Sequence, residues 1–376
     1  MRKKILILFP LKHIAFSPTT LGIYDALAVD NDVTIYAPRS DEFNSNNNRN
    51  ILYFDFNTEK TRKLKALPSF MLLKIFDFFG KKNPLSELNI YDYVRYLEYK
   101  IFLQNLKNDY DEIIAVDVIF LYLASLFFKN VHFLSLEISG TERLLLDKIK
   151  NEQIKSVVIQ TQERYDHMFP NRKLKTFFIQ NAPIFVKENN TTKIKNSLLL
   201  NGTALPCFGL YHCLNFIRNN NDYTLTIKGT ILKPEFENIK ANYVDLLESK
   251  KLILHTEYME AAELLDYIAH FEIGFCFYDL SYPEINTFNY NTAPSGKMFA
   301  YFAAGVPVVA MNLLGQKCVQ DFEAGILIDN FDYNTILQAI EKIKSNYEFY
   351  RANCFKAARH FSFDKNVAPY VDFLTE

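Results

Sequence analysis

Phe288 to Ala310 reads FNYNTAPSGKMFAYFAAGVPVVA. The stretch opens as polar loop, and Pro294-Ser295-Gly296 is a turn that can lead straight into a helix. Lys297 to Ala304 reads as that helix, closed by Gly305 as a C-cap with Pro307 just beyond. Val306 to Met311 follows as a short apolar strand of the kind buried in a parallel sheet. Loop, helix and strand make one α/β unit whose helix N-terminus carries small residues and a lysine. Free N–H groups and the helix dipole at such an end favour an anion, and Lys297 adds a point charge.

The same grammar repeats outward from this unit. Ahead of it come Ser197–Leu200, Tyr223–Lys228, Leu252–His255 and Ile273–Tyr278, each an apolar strand followed by turn residues and a helical pattern. Behind it, Tyr333–Tyr347 and Tyr350–Phe361 read as closing helices, with 361–376 as a tail that crosses back to the first domain. Near the N-terminus, Lys4–Phe9, Val33–Ala37, Glu112–Asp117, Val131–Glu137, Ser156–Gln160 and Thr176–Gln180 read as a second set of buried strands. A length of 376 residues also suits two cores better than one. The expected organisation is α/β: residues 1–183 as one Rossmann-like domain, 184–197 as a polar linker, and 198–360 as a second Rossmann-like domain. No G-x-G-x-x-G follows the first strand, which argues against a dinucleotide fingerprint.

Composition excludes several classes. Forty-two basic residues against forty-three acidic ones give no field for nonspecific binding of nucleic acid. The five cysteines, Cys207, Cys213, Cys276, Cys318 and Cys354, lack metal-ligand spacing and read as free thiols of a reducing cytoplasm. The N-terminus MRKKILILFPLK is better read as a first strand than as a signal peptide, because Pro10 interrupts a short apolar run.

The Phe288–Ala310 segment resembles the nucleotide-sugar loop of GT-B-fold glycosyltransferases, in particular the family 4-like enzymes. Their motif runs P-N-K-(hydrophobic)-F-E-Y-(small)-A-A-G-x-P-V-V. The matching residues are Lys297, Phe299, Tyr301, Ala303, Ala304, Gly305, Pro307, Val308 and Val309. The motif's acidic residue, which in the family holds the donor's ribose, falls on Ala300. The family often carries a second glutamate eight positions earlier, and that position is Thr292; Glu284 lies in the same long loop, Asp279 to Pro294. The resemblance implies two Rossmann-like domains facing across a cleft, with the donor held by the second.

On that resemblance the donor-binding residues are Gly202 and Thr203, Lys228, Tyr258 and Met259, Asn289, Ser295, Gly296 and Lys297. Asp117 and Glu137, each at the carboxyl end of an expected strand, are the candidate catalytic carboxylates. His13, Ser17 and Thr19 lie in the loop after the first strand, where such folds bind ligands, and are the candidate acceptor residues. Lys60–Lys82 sets seven basic residues around an apolar run, which reads as an interfacial helix on anionic lipid at the inner membrane or as a core helix with solvated flanks. The expected activity is transfer of a sugar from a nucleotide-diphosphate donor to a saccharide or lipid-linked saccharide acceptor, retaining, in surface-polysaccharide or glycoconjugate assembly. Metal and cofactor are not expected, and the location is cytoplasmic or membrane-peripheral. A nucleotide-sugar 2-epimerase and a non-catalytic partner protein of the same fold are the alternatives.

Overall fold

The computed structural model describes residues 2–376 apart from 11–13, 40–47, 55–58, 79–83, 88, 107–109, 139–141, 186–187, 189–190 and 284. The chain forms two compact units. One comprises Met1–Ile179 with Asn366–Glu376, and the other Gln180–Lys365.

The first unit is a seven-stranded sheet of β1 (Lys4–Leu8), β2 (Asp32–Pro38), β3 (Ile51–Phe54), β4 (Glu112–Val116), β5 (Val131–Leu134), β6 (Ile154–Ile159) and β7 (Thr176–Phe178). Every pairing is parallel, in the order β3-β2-β1-β4-β5-β6-β7. The β-branched and leucine runs of β1, β4 and β5 are buried along almost their whole length, as helices on both faces of a parallel sheet require. Helices α1 (Pro18–Leu27), α3 (Ile90–Asn105) and α4 (Val118–Ser125) provide much of that cover, and α2 (Glu59–Phe78) packs on α3. Val131–Glu137 was expected as one strand, but β5 stops at Leu134; Glu137 therefore lies on the loop three residues beyond the sheet.

The second unit is a six-stranded parallel sheet of β8 (Ser197–Asn201), β9 (Thr224–Lys228), β10 (Leu252–His255), β11 (Ile273–Cys276), β12 (Val308–Met311) and β13 (Gly325–Ile328). Its order is β10-β9-β8-β11-β12-β13. Strand alternation divides its side chains between two cores. Leu198, Leu200, Val309 and Met311 pack with the Leu210–Arg218 and Tyr333–Ser345 helices. Leu199, Val308 and Ala310 pack on the other face with the Gly296–Ala303 and Tyr347–Phe361 helices. The loop expected from Asp279 to Pro294 contains a short helix, Thr287–Thr292, because Asn286 Oδ1 caps it by accepting the Asn289 N–H at 3.0 Å.

The last helix, Phe363–Thr375, brings residues 366–376 back into the first unit. Tyr370 and Leu374 are fully buried there, and Lys3 Nζ donates to the Leu374 carbonyl at 2.8 Å.

Candidate functional site

In a doubly wound sheet the crevice for ligands opens beyond the carboxyl ends of the strands, where the strand order reverses. In the second unit that point lies between β8 and β11, and most of the expected donor residues sit around it.

The loop leaving β8 turns at Gly202, whose φ of 94° suits only glycine, and a Cβ there would meet nothing within 4 Å. Its partner across the sheet is Gly229, at φ 133°, where a Cβ would run into the Gly202 carbonyl. Two glycines thus let the β8 and β9 ends approach while leaving backbone open to the crevice. Thr203 is exposed on the same loop. Lys228, the last residue of β9, is buried, and its Nζ donates to the Glu257 carbonyl. Its ammonium thus holds the 255–260 turn. Tyr258 on that turn is 73% exposed and Met259 half-buried.

The Gly296–Ala303 helix follows, with Ser295 as N-cap. Helix geometry leaves the N–H groups of its first turn without intrahelical acceptors. Tyr301 fixes the helix to the sheet. Its hydroxyl accepts from the Asn201 N–H at 2.8 Å and lies 3.0 Å from the Leu199 carbonyl. A Cβ at Gly274 would strike the Tyr301 ring at 2.7 Å, which explains the glycine in the middle of β11. Gly296 lies close to the Asn181 amide, where a Cβ would meet Nδ2 at 2.8 Å, so the Gln180-Asn181 turn packs on this helix end. Asn289 is buried in the preceding short helix.

Lys297 is half-buried as a residue, but its Nζ is out of water and has no hydrogen-bond partner among the described residues. The ammonium lies 4.8 Å from the ring centre of Phe208 and 5.4 Å from that of Tyr278. Phe208 comes from the loop after β8 and Tyr278 from the end of β11, so both sides of the switch point close on this one cation. Tyr290 packs on both rings. Desolvation pulls the Lys297 ammonium below the ordinary lysine range, and cation–π contact returns part of that loss. Ser295 Oγ is likewise buried, in contact with the Cys276 thiol.

Two features here went unread in the sequence. One is the aromatic enclosure, for which Pro206-Cys207-Phe208 before Gly209 was the available signal. The other is the pair His212 and Asp279, at 2.8 Å, with the imidazole stacked 3.8 Å from Phe331. Burial alone would raise the Asp279 carboxyl, but hydrogen bonds from Ser281 and His212 outweigh it and hold the group below its usual value.

In the first unit the order reverses between β1 and β4. Asp117 follows β4 at φ 67°, ψ 158°, a conformation almost confined to glycine and costing on the order of 1–3 kcal/mol. Strain of that kind collects at functional positions. Glu137 is exposed on the loop after β5, and the residues before it are pinned from β6 and the helix that follows. Gln160 Nε2 donates to the Ser135 and Leu136 carbonyls at 2.7 and 3.0 Å, and the fully buried Arg164 donates to Leu136 at 3.1 Å. Sequence reading missed both supporting residues. Ser17 and Thr19 are buried at the start of α1, and Ser17 Oγ donates to Thr20 Oγ1 at 2.8 Å, which commits the Ser17 hydroxyl to the fold. His13 and Glu284 lie outside the described residues. Among the described residues no group of three His, Cys, Asp or Glu side chains could hold a metal ion, and all five cysteines are free.

No protein-family model matches the sequence, and neither does any curated protein. Solved structures do match over their whole length. Sucrose-phosphate synthase from Thermosynechococcus elongatus superposes with a TM-score of 0.66 at 13% identity, covering 100% of this chain and 98% of that one. A UDP-forming α,α-trehalose-phosphate synthase from Burkholderia xenovorans gives 0.62 at 12% identity, with 100% and 98% covered. The E. coli trehalose-6-phosphate protein bound with UDP-2-fluoro glucose gives 0.63 at 11% identity, with 99% of each chain covered. Identity this low speaks for architecture alone, and on architecture the match is complete: the chain has the GT-B fold of two doubly wound α/β units.

Proposed function

We propose that this protein is a glycosyltransferase that moves a sugar from a nucleotide-diphosphate donor to a saccharide acceptor, lipid-linked in the surface-polysaccharide setting that the Phe288–Ala310 motif suggests. One observation carries the reading: a lysine ammonium withdrawn from water, given no acceptor among the described residues, and placed at a helix N-terminus on the switch point of a GT-B second unit. A buried cation without a counter-charge costs several kcal/mol, and a diphosphate supplies the missing charge. The amides of Gly296 and Lys297, with the open backbone at Gly202, add neutral donors that need no reorganisation as the leaving group gains charge. On this reading Lys297 neutralises the departing diphosphate without a metal, and Asp117 and Glu137 hold or deprotonate acceptor hydroxyls. Retention of anomeric configuration belongs to the same proposal. The solved structures support it through what two of them are named for, UDP formation and a bound UDP-sugar analogue.

Ala300 favours a second reading. It packs against the apolar core where the motif carries an acid, so no carboxylate there can grip a ribose. A partner protein that binds nucleotide without turnover would tolerate this.

The test is a thermal-shift panel of UDP, GDP, CMP and ADP, with and without magnesium, on wild type and Lys297→Ala. One nucleoside diphosphate should stabilise wild type without metal, by about 2.7 kcal/mol at a hundred times its Kd. Lys297→Ala should weaken that ligand about tenfold or more while leaving the fold intact. Addition of the sugar donor should then release nucleotide only when a saccharide acceptor is present. Silence across the panel removes the transferase reading, and binding without release selects the partner protein.

A further inference from the structure

The second sheet ends at β13, and a cavity of about 340 Å³ runs along the outer side of that strand. The register fixes what the strand presents there. Val308 N–H donates to the Ala324 carbonyl at 3.2 Å and Asn312 N–H to the Ile328 carbonyl at 2.8 Å, so the even-numbered residues face β12. Alternation then turns the N–H and C=O groups of Gly325 and Leu327 outward, and both residues line the cavity.

Side chains from separate segments close round this edge. Asn312 follows β12, and its Nδ2 donates to Asp329 Oδ1 at 2.8 Å, which leaves its Oδ1 to accept from the cavity. Gln320 comes from the Cys318–Asp321 helix, Lys342 from the Tyr333–Ser345 helix and Tyr350 from the Tyr347–Phe361 helix. Glu323 is there against its backbone preference. Its φ is 50°, in the left-handed region where glycine usually ends a helix. The turn is fixed by the Glu323 N–H on the Gln320 carbonyl at 3.0 Å and the Ala324 N–H on the Val319 carbonyl at 2.9 Å. The buried Asn353 adds a bond from Nδ2 to the Glu323 carbonyl at 3.3 Å. Glycine would suit this turn better, and the glutamate puts a carboxylate at the cavity instead. Burial first, and the Glu323 carboxylate after it, raise the Tyr350 phenol above its usual value, so the two groups share this space. Among the described residues, neither Gln320, Glu323 nor Lys342 commits its side chain to a hydrogen bond or ion pair.

The lining therefore offers donors and acceptors side by side: peptide N–H and C=O groups, carboxamides, an ammonium and a carboxylate. Lys342 and Glu323 balance each other, so neither an anion nor a cation is matched. An apolar ligand would strand the polar groups. A hydroxyl both donates and accepts, and a ligand dense in hydroxyls satisfies such a lining. The half-buried Ile326 gives the C–H face of a sugar ring an apolar surface. An added peptide strand fits less well, because β13 has four residues and charged side chains flank its edge, two devices that discourage strand pairing. A volume of about 340 Å³ lies in the range of small-molecule sites.

We propose that the cavity along β13 is a binding site for a neutral saccharide, separate from the donor crevice. The switch point lies between β8 and β11, and β13 stands at the end of the sheet beyond β12. None of the donor residues lines the cavity, so the inference stands apart from the transferase reading.

The test is a printed array of neutral and acidic glycans probed with the full chain, followed by isothermal titration calorimetry with the neutral glycan bound best. Wild type should bind neutral glycans, and Lys297→Ala should bind the same ones with unchanged affinity. Lys342→Ala and Glu323→Gly should each weaken binding about tenfold, the loss expected for a hydrogen bond to a charged group. Glu323→Gly should melt no lower than wild type, because glycine relieves the left-handed backbone. If it does melt lower, its loss of binding is structural and Lys342→Ala, at an exposed position, decides alone. An array without bound glycans overturns the proposal, as does binding of acidic glycans only. Wild-type affinity in Lys342→Ala would place the glycan elsewhere, and a loss in Lys297→Ala would place it in the donor crevice; either result overturns the site.

Discussion

Lys297 shows what one residue reveals and conceals in a sequence. Its place at the start of a helix, after Pro-Ser-Gly, is legible, and so is an affinity for anions. The two aromatic rings that enclose its Nζ arrive from loops after β8 and β11, which only the folded sheet brings together. The enclosure has an energetic consequence. An ammonium whose pKa is held below its unfolded value opposes folding at every pH where it remains charged, and that opposition is relieved as pH rises toward the ordinary lysine range. Lys297→Met keeps the stem and removes the charge. It should therefore raise stability, by about 1–3 kcal/mol, and shrink the nucleotide-diphosphate response. Differential scanning calorimetry with and without ligand checks both halves. A lower melting temperature would mean that the ammonium already has a counter-charge in the free protein.

At the scale of elements, the strands were the legible part, because buried parallel strands write continuous apolar runs. β3 went unread: ILYF is short and follows a run of asparagines. The helix α3 went unread because its tyrosines and charges blur the apolar period, although Tyr93, Tyr96 and Tyr99 form its buried side. The amino ends of the strands also hold a network that no motif announced. Glu112 at the start of β4 lies 3.1 Å from His132 Nε2 on β5 and 2.6 Å from Lys155 Nζ on β6, with Lys3 at 3.4 Å. His132 Nδ1 is 2.7 Å from Ser156 Oγ. Burial alone would raise the Glu112 carboxyl, but the hydrogen bonds from His132 and Lys155 bring it down to about 2. Burial likewise lowers His132, against the pull of Glu112, whose carboxylate accepts from Nε2. A carboxyl depressed from 4.5 to about 2 stabilises the fold fully above its unfolded value and loses that contribution as pH falls between the two. Urea denaturation across this range should show wild type losing about 3 kcal/mol. Glu112→Gln should start weaker and show a much flatter dependence. An unchanged slope in the variant would place the acid sensitivity elsewhere.

At the scale of the whole molecule, two serial α/β units were legible from the repeated strand–turn–helix grammar, while the exchange of chain between them was legible only as a tail. Its physical content is a packed aromatic cluster. Tyr370 and Phe373 meet Phe177 of β7 at 5.3 and 5.4 Å between ring centres, and Tyr370 meets His132 at 5.8 Å. Lys175 caps Phe177 and Phe373, at 5.3 and 5.6 Å from their ring centres. Deleting residues 366–376 therefore strips the first unit of three buried apolar side chains, Val367, Tyr370 and Leu374, and uncovers the His132 side of its polar network. Each buried apolar side chain contributes about 1.5–3 kcal/mol, a loss comparable with the whole stability of an ordinary domain. The second unit keeps both its cores, its switch point and Lys297. The truncated chain should thus melt in two steps, the first well below the wild-type transition and the second close to it. Only the second should rise with the nucleoside diphosphate that stabilises wild type. A single cooperative transition at the wild-type temperature would mean that the segment adds nothing to the first unit, and a single lowered one that the two units unfold as one.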